Sequence, residues 1–169
     1  MADFEILDDL AGLHEDVDRA VEPLTELHRD RLQCRRGCAD CCVDELTVFT
    51  IEAERIRRAH AVLLAEGEPA PVGRCAFLDA EGACRVYDVR PYVCRTQGLP
   101  LRWIEDDGAE SRDICPLNDT GPPITGLAED ACWTLGPAEG RLAGLQQRLD
   151  GGRMARIRLR DLFEASGPA

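Results

Sequence analysis

Four cysteines fall within nine residues, Cys34-x3-Cys38-x2-Cys41-Cys42, and five more follow at Cys75, Cys84, Cys94, Cys115 and Cys132. This density constrains the fold more than any apolar pattern in the chain, because each thiol needs a fate: disulfide, metal ligand or buried free group. Nine is odd, so a closed disulfide framework leaves one thiol over. The first residues, Met1-Ala2-Asp3-Phe4-Glu5, are acidic and lack the charged-then-apolar layout of a signal peptide. No stretch is apolar and long enough to span a membrane. The expectation is a cytoplasmic chain with reduced thiols and cysteines used for metal binding. Thiolate is a soft ligand that suits Zn²⁺, Cu(I) and the iron of iron–sulfur clusters.

The formal net charge is −12, and all 20 basic residues are arginine. A polyanion needs a basic face, so nucleic acid is not an expected partner. The missing lysine removes Schiff-base nucleophiles and the Walker-type phosphate lysine. No glycine-rich phosphate loop and no GxSxG elbow is present.

Apolar periodicity predicts a helix over 3–32, with Leu10, Leu13, Val17, Val21, Leu24 and Leu27 as its stripe. Pro23 kinks or splits it near Glu22. His14 and His28 flank the stripe as edge-of-core or surface residues, and His28 is close enough to Cys34 to leave a ligand role open. Gly37 in the cysteine loop at 34–44 permits a left-handed turn. Leu46-Thr47-Val48-Phe49 reads as a short strand. A second helix is expected over 51–66, N-capped by Thr50, buried through Ile56, Ala59 and Leu63, and ended by Gly67. His60 is expected to be an exposed helical residue. Two hairpins follow from the turn signals at 79–82 and 105–108. Between them Asp88 caps a short helix carrying Cys94, with Pro91 in its first turn. After a turn-rich stretch at 116–126, a helix over 137–149 buries Leu142, Leu145 and Leu149. Alternating Arg156-Ile-Arg-Leu-Arg160 reads as a half-exposed edge strand that neutralises surface acids, with a basic binding strip as the alternative.

A tetrahedral thiolate site takes four ligands, so nine cysteines could fill two sites with one left over. One partition uses Cys34, Cys38, Cys41 or Cys42 and a distant thiol at one centre, with Cys75, Cys84, Cys94 and Cys115 supplying the rest. Consecutive side chains in extended backbone point to opposite sides, so Cys41 and Cys42 could serve two neighbouring metals or a bridged cluster. An arginine stands beside Cys34, Cys75, Cys84 and Cys94 (Arg35, Arg74, Arg85 and Arg95). These either offset thiolate charge from outside the ligand shell or are simply this chain's only kind of cation. Asp40, Asp44 and Glu45 are the carboxylates nearest the cluster. A structural metal would also supply folding energy to a middle region short of large apolar residues.

The spacing Cys34-x3-Cys38-x2-Cys41 is also that of radical S-adenosylmethionine enzymes. The chain is too short for their partial barrel, its motif follows a helix instead of a strand, and Asp40 stands where they carry an aromatic. The stronger resemblance spans 34–115. The first cluster and Cys75-Ala-Phe-Leu-Asp-Ala-Glu-Gly-Ala-Cys84-Arg-Val-Tyr-Asp-Val-Arg-Pro-Tyr-Val-Cys94-Arg95 resemble the CxxCxxCC cysteine-cluster family, a zinc- or iron-chelating domain (YkgJ-like). The chain departs from the family's pattern in having three residues, not two, between Cys34 and Cys38.

The resemblance implies metal ligation by Cys34, Cys38, Cys41, Cys42, Cys75, Cys84, Cys94 and Cys115. Cys132, beside Trp133, is expected to be a buried free thiol. The expected fold class is α+β, mostly helical with short β-hairpins. It is a small single domain over 1–169 organised around a cysteine-rich metal centre, with an acidic amphipathic helix at 3–32, the metal-binding core at 34–115 and a C-terminal helix and strand at 127–165. The expected function is chelation of zinc or an iron–sulfur cluster with a structural, metal-handling or partner role. The alternative is an iron–sulfur oxidoreductase or other metal-dependent enzyme. Metal ions are the expected partners, without nucleic acid or membrane, and a protein partner stays open.

Overall fold

A computed structural model describes residues 2–35 and 37–164 of the chain, with side chains from Phe4 onward. Met1, Arg36 and residues 165–169 lie outside the described residues, so both ends of the expected 1–169 unit and the last residue of its 127–165 segment fall there.

Helix α1 (Ala2–Leu27) is unbroken and ends five residues earlier than the expected limit at 32. Pro23 lies inside it without splitting it. The missing N–H costs one bond close to the C-terminal end, and burial of Leu24 and His28 beyond the proline holds the last turn in place. Leu10, Leu13, Val17 and Leu24 are buried as the stripe predicts, whereas Leu27 is 62% exposed. The two histidines are not surface groups: His14 and His28 are both buried.

The strand β1 (Thr47–Phe49) forms as expected and leads into α2 (Thr50–Ala59), α3 (Ala61–Glu66), α4 (Tyr92–Thr96), β2 (Leu101–Ile104), β3 (Glu110–Asp113), β4 (Trp133–Thr134), α5 (Pro137–Asp150), β5 (Arg156–Arg158) and α6 (Asp161–Glu164). The expected second helix is therefore two. His60 leaves helical geometry (φ −127°, ψ 38°) and its Nε2 lies 2.9 Å from Asp88 Oδ1, a contact to a distant loop that local periodicity does not encode. Ala59, expected inside, is exposed, and Leu64 is buried while Leu63 is half-buried. Thr50 is not the N-cap. Its hydroxyl accepts from Gln146 Nε2 at 2.8 Å; its own N–H, the first of the helix, donates to Ala155 O at 3.1 Å, and the next, at Ile51, donates to Gln146 Oε1 at 3.0 Å. The cap thus comes from α5 across the interface.

Two apolar clusters meet at α2. One packs Ile6, Leu7, Leu10, Leu13 and Val17 of α1 against Ile51, Tyr92, Leu142 and Leu145. The other gathers Val48, Ile56, Phe77, Val86, Leu159, Leu162 and Phe163, with the Phe77 and Phe163 rings 5.1 Å apart. Each fully buried side chain of this size is worth about 1.5–3 kcal/mol relative to exposure. Strands β1 and β5 pair antiparallel, with Val48 opposite Ile157. The β2–β3 hairpin forms as predicted, and β4 adds parallel to β2. The expected hairpin over 75–87 reduces to one bridge, Leu78 with Cys84. Asp79 closes it: its backbone N–H donates to Ala83 O at 2.9 Å, and its carboxylate accepts the N–H of Glu81 and Ala83. Asp88 does not cap α4; Pro91 occupies the N-cap position.

Candidate metal centre

The thiols sit on poorly regular backbone fixed by a few specific contacts. Gly37 adopts φ +87° as the loop requires, and its carbonyl lies 3.2 Å from where a Cβ on Gly82 would be. The cysteine loop thereby rests on the 79–82 turn. Cys75 N–H donates to Cys42 O at 2.9 Å, which fixes the second cysteine segment to the first. The Leu78–Cys84 bridge and helix α4 bring in Cys84 and Cys94. Among the described residues every cysteine is a free thiol.

The thiols are close enough to alter one another's ionisation. Burial raises the Cys34 thiol, and Cys38, Cys115 and Cys41 push it the same way. Burial drives Cys94 up to about 12, with Cys75, Cys84 and Cys41 adding to it. Burial also raises Cys75 and Cys84. The adjacent pair divides unequally: the Cys42 thiol donates to Cys41, pulling Cys41 down to about 6 and raising Cys42. Cys42 is raised further by Cys75 and Cys94. Among the described residues no three His, Cys, Asp or Glu side chains already stand close enough to hold a metal ion.

The arginines beside the cysteines do not donate to sulfur. Arg85 donates to the carbonyls of Glu68, Ala76 and Phe77. Arg95 donates to Arg90 O and pairs with Asp18, leaving a buried Nη2 without a hydrogen-bond partner. Arg85 and Arg160 still act at a distance to favour the Cys75 thiolate, as Arg90 does for Cys84. Asp44 is spent on Arg160 and on Gly73 N–H, and exposed Glu45 lies 3.8 Å from Arg158. Arg156 bonds Thr47 and Arg158 pairs with Asp161, which accords with an acid-neutralising strand.

His28 is not placed among the thiols, since its Nε2 lies 2.6 Å from Ala131 O. Cys132 is buried and free, and Arg112 Nη1 lies 3.8 Å from its sulfur.

Two residues of the site carry no sequence signal. Asn118, fully buried, donates through Nδ2 to Cys34 Sγ at 3.3 Å and to Gly98 O at 2.8 Å, and accepts Gln33 N–H at 2.7 Å. Gly98 has φ +91°, and a Cβ there would sit 2.5 Å from Cys34 Sγ. The thiols are free and soft, and that donor chemistry, with the sulfur cradle, fits a thiophilic metal or cluster.

The fold defines a small α+β protein. Residues 33–116 match the model of the CxxCxxCC family, described as "putative zinc- or iron-chelating domain". All eight expected ligands lie inside the match, and Cys132 lies outside it. No curated protein and no solved structure matches the chain significantly. No helix among the described residues is long and apolar enough to cross a membrane.

Proposed function

We propose that Cys34, Cys38, Cys41, Cys42, Cys75, Cys84, Cys94 and Cys115 chelate zinc or an iron–sulfur cluster. In this reading the protein is cytoplasmic, and the metal holds its loops together. The observation that carries the proposal is the match of residues 33–116 to a zinc- or iron-chelating family, a segment that holds all eight of these free thiols. The ligands also lie in chain with little regular structure of its own: the described residues of 34–46 carry no helix or strand, and 67–86 only turns and one bridge.

When bound, zinc would supply a fixed tetrahedral cross-link, and a cluster would add electron transfer. The protein's part is to present soft donors from fixed backbone positions.

Anaerobic purification followed by metal and acid-labile sulfide analysis tests the reading. Stoichiometric zinc in a colourless protein, or iron with sulfide in a brown one, is the expected result and decides between the two. Unchanged metal content in both Cys34→Ala and Cys94→Ala would overturn it.

A further inference from the structure

We infer that Asn118, seated against Gly98, is the positioning residue that holds the Cys34 sulfur for metal binding; this rests on the chelation proposed above. An asparagine amide has two N–H donors and one carbonyl acceptor. Here all three functions are taken: Gln33 N–H enters Oδ1 at 2.7 Å, and Nδ2 divides its protons between Gly98 O at 2.8 Å and Cys34 Sγ at 3.3 Å. The amide therefore cannot flip, since that would turn Oδ1 toward the Gly98 carbonyl and leave a buried N–H facing Gln33 N–H. Its fixed orientation aims a donor at sulfur, which suits a sulfur that carries negative charge, as a metal-bound thiolate does.

Gly98 forms a second wall of the cradle. A Cβ there would approach Cys34 Sγ to 2.5 Å and Asn118 Nδ2 to 3.0 Å, and the backbone at φ +91° disfavours any side chain. Sulfur, amide and glycine backbone are thus in contact, and the contact joins three segments: 33–34 after α1, 97–98 after α4, and the turn after Cys115. Asn118 N–H donates to Cys115 O at 2.8 Å, so the same residue also fixes the backbone of a second expected ligand. Cys34 is the most exposed of the thiols.

The test uses the full chain, metal-free and reduced, titrated anaerobically with Co²⁺ and followed by thiolate-to-cobalt charge-transfer absorption. Iodoacetamide alkylation mapped by mass spectrometry then reports each thiol separately. Asn118→Asp keeps the size of the side chain and the acceptor for Gln33 but replaces the donor at sulfur with an oxygen. Expected is a Co²⁺ affinity about 10–100-fold weaker, typical of lost outer-shell partners. Cys34 should become selectively alkylated, while Cys75, Cys84 and Cys94 stay protected as in the wild type. Gly98→Ala, which blocks the sulfur from this second wall, should produce the same selective exposure.

Equal protection of Cys34 in the wild type and in both variants overturns the inference and leaves chelation standing. Exposure of all cysteines together in Asn118→Asp also overturns it, because the role would then be general folding. No charge-transfer band and no protection in the wild type would instead sink the chelation reading itself.

Discussion

At the scale of single residues, the chain buries several ionisable groups and gives most of them a partner. Glu52 accepts the Tyr92 N–H at 2.7 Å and lies 3.5 Å from His14 Nε2. His14 is 1% exposed and is held below its ordinary 6.5, first by burial and then by the nearby Arg95 and Arg55, with Glu52 opposing them. The folded state therefore binds this proton less readily than the unfolded chain. The stability tied to neutral His14 is fully present above 6.5 and is lost as pH falls from there toward the depressed folded value. Denaturant unfolding of metal-loaded protein on both sides of that value should show the loss, limited to about 1.4 kcal/mol per pH unit for one proton. His14→Gln should flatten the profile by that share. An identical slope in the variant would remove His14 from the account.

At the scale of elements, helices and turns obeyed local signals only where a partner element agreed. The stripe of α1, the Leu142 and Leu145 face of α5, the β2–β3 hairpin and the brief α4 were legible because period and turn chemistry express themselves within a few residues. The break at His60 and the cap of α2 were not legible. Both depend on side chains far away in sequence, Asp88 and Gln146. Gln146 is fully buried, accepts Ile51 N–H, and donates to Thr50 Oγ1 and Asp150 Oδ2. Gln146→Leu fills the space but strands that N–H, so urea unfolding should register a loss of about 1–3 kcal/mol. The exposed neighbour offers a control, since Gln147→Leu should stay within about 0.5 kcal/mol. Equal effects from the two substitutions would deny Gln146 its capping role.

At the scale of the whole molecule, two kinds of cohesion divide the chain. The α1–α2–α5 side is held by Leu, Ile and Val contacts. The thiol side is held by the second apolar cluster around Phe77, which includes Cys75, together with a loop resting on a turn, one bridge and the Asn118 cradle. If a metal ties the second side, a chelator added under reducing, anaerobic conditions should lower the thermal midpoint without abolishing folding. Hydrogen exchange should rise in 34–44, 75–84 and 94–98 while α1 and α5 remain protected. Uniform exchange with and without chelator would mean that the metal contributes no cohesion.

The sequence by itself determined the chemistry offered. Nine thiols, the CxxCxxCC-type spacing, the absence of lysine and the long amphipathic helix are all properties of residue identity and local order. Tertiary structure decided what surrounds those thiols. It turned Arg85 and Arg95 toward carbonyls and Asp18, and set Cys132 beside Arg112 outside the family segment. It also put Asn118 and Gly98, neither marked by any motif, against the Cys34 sulfur. The physical reason is range. Periodicity and turn preference act over a few bonds, whereas a hydrogen bond to sulfur or a missing Cβ matters only once residues some twenty to eighty positions apart are brought into contact.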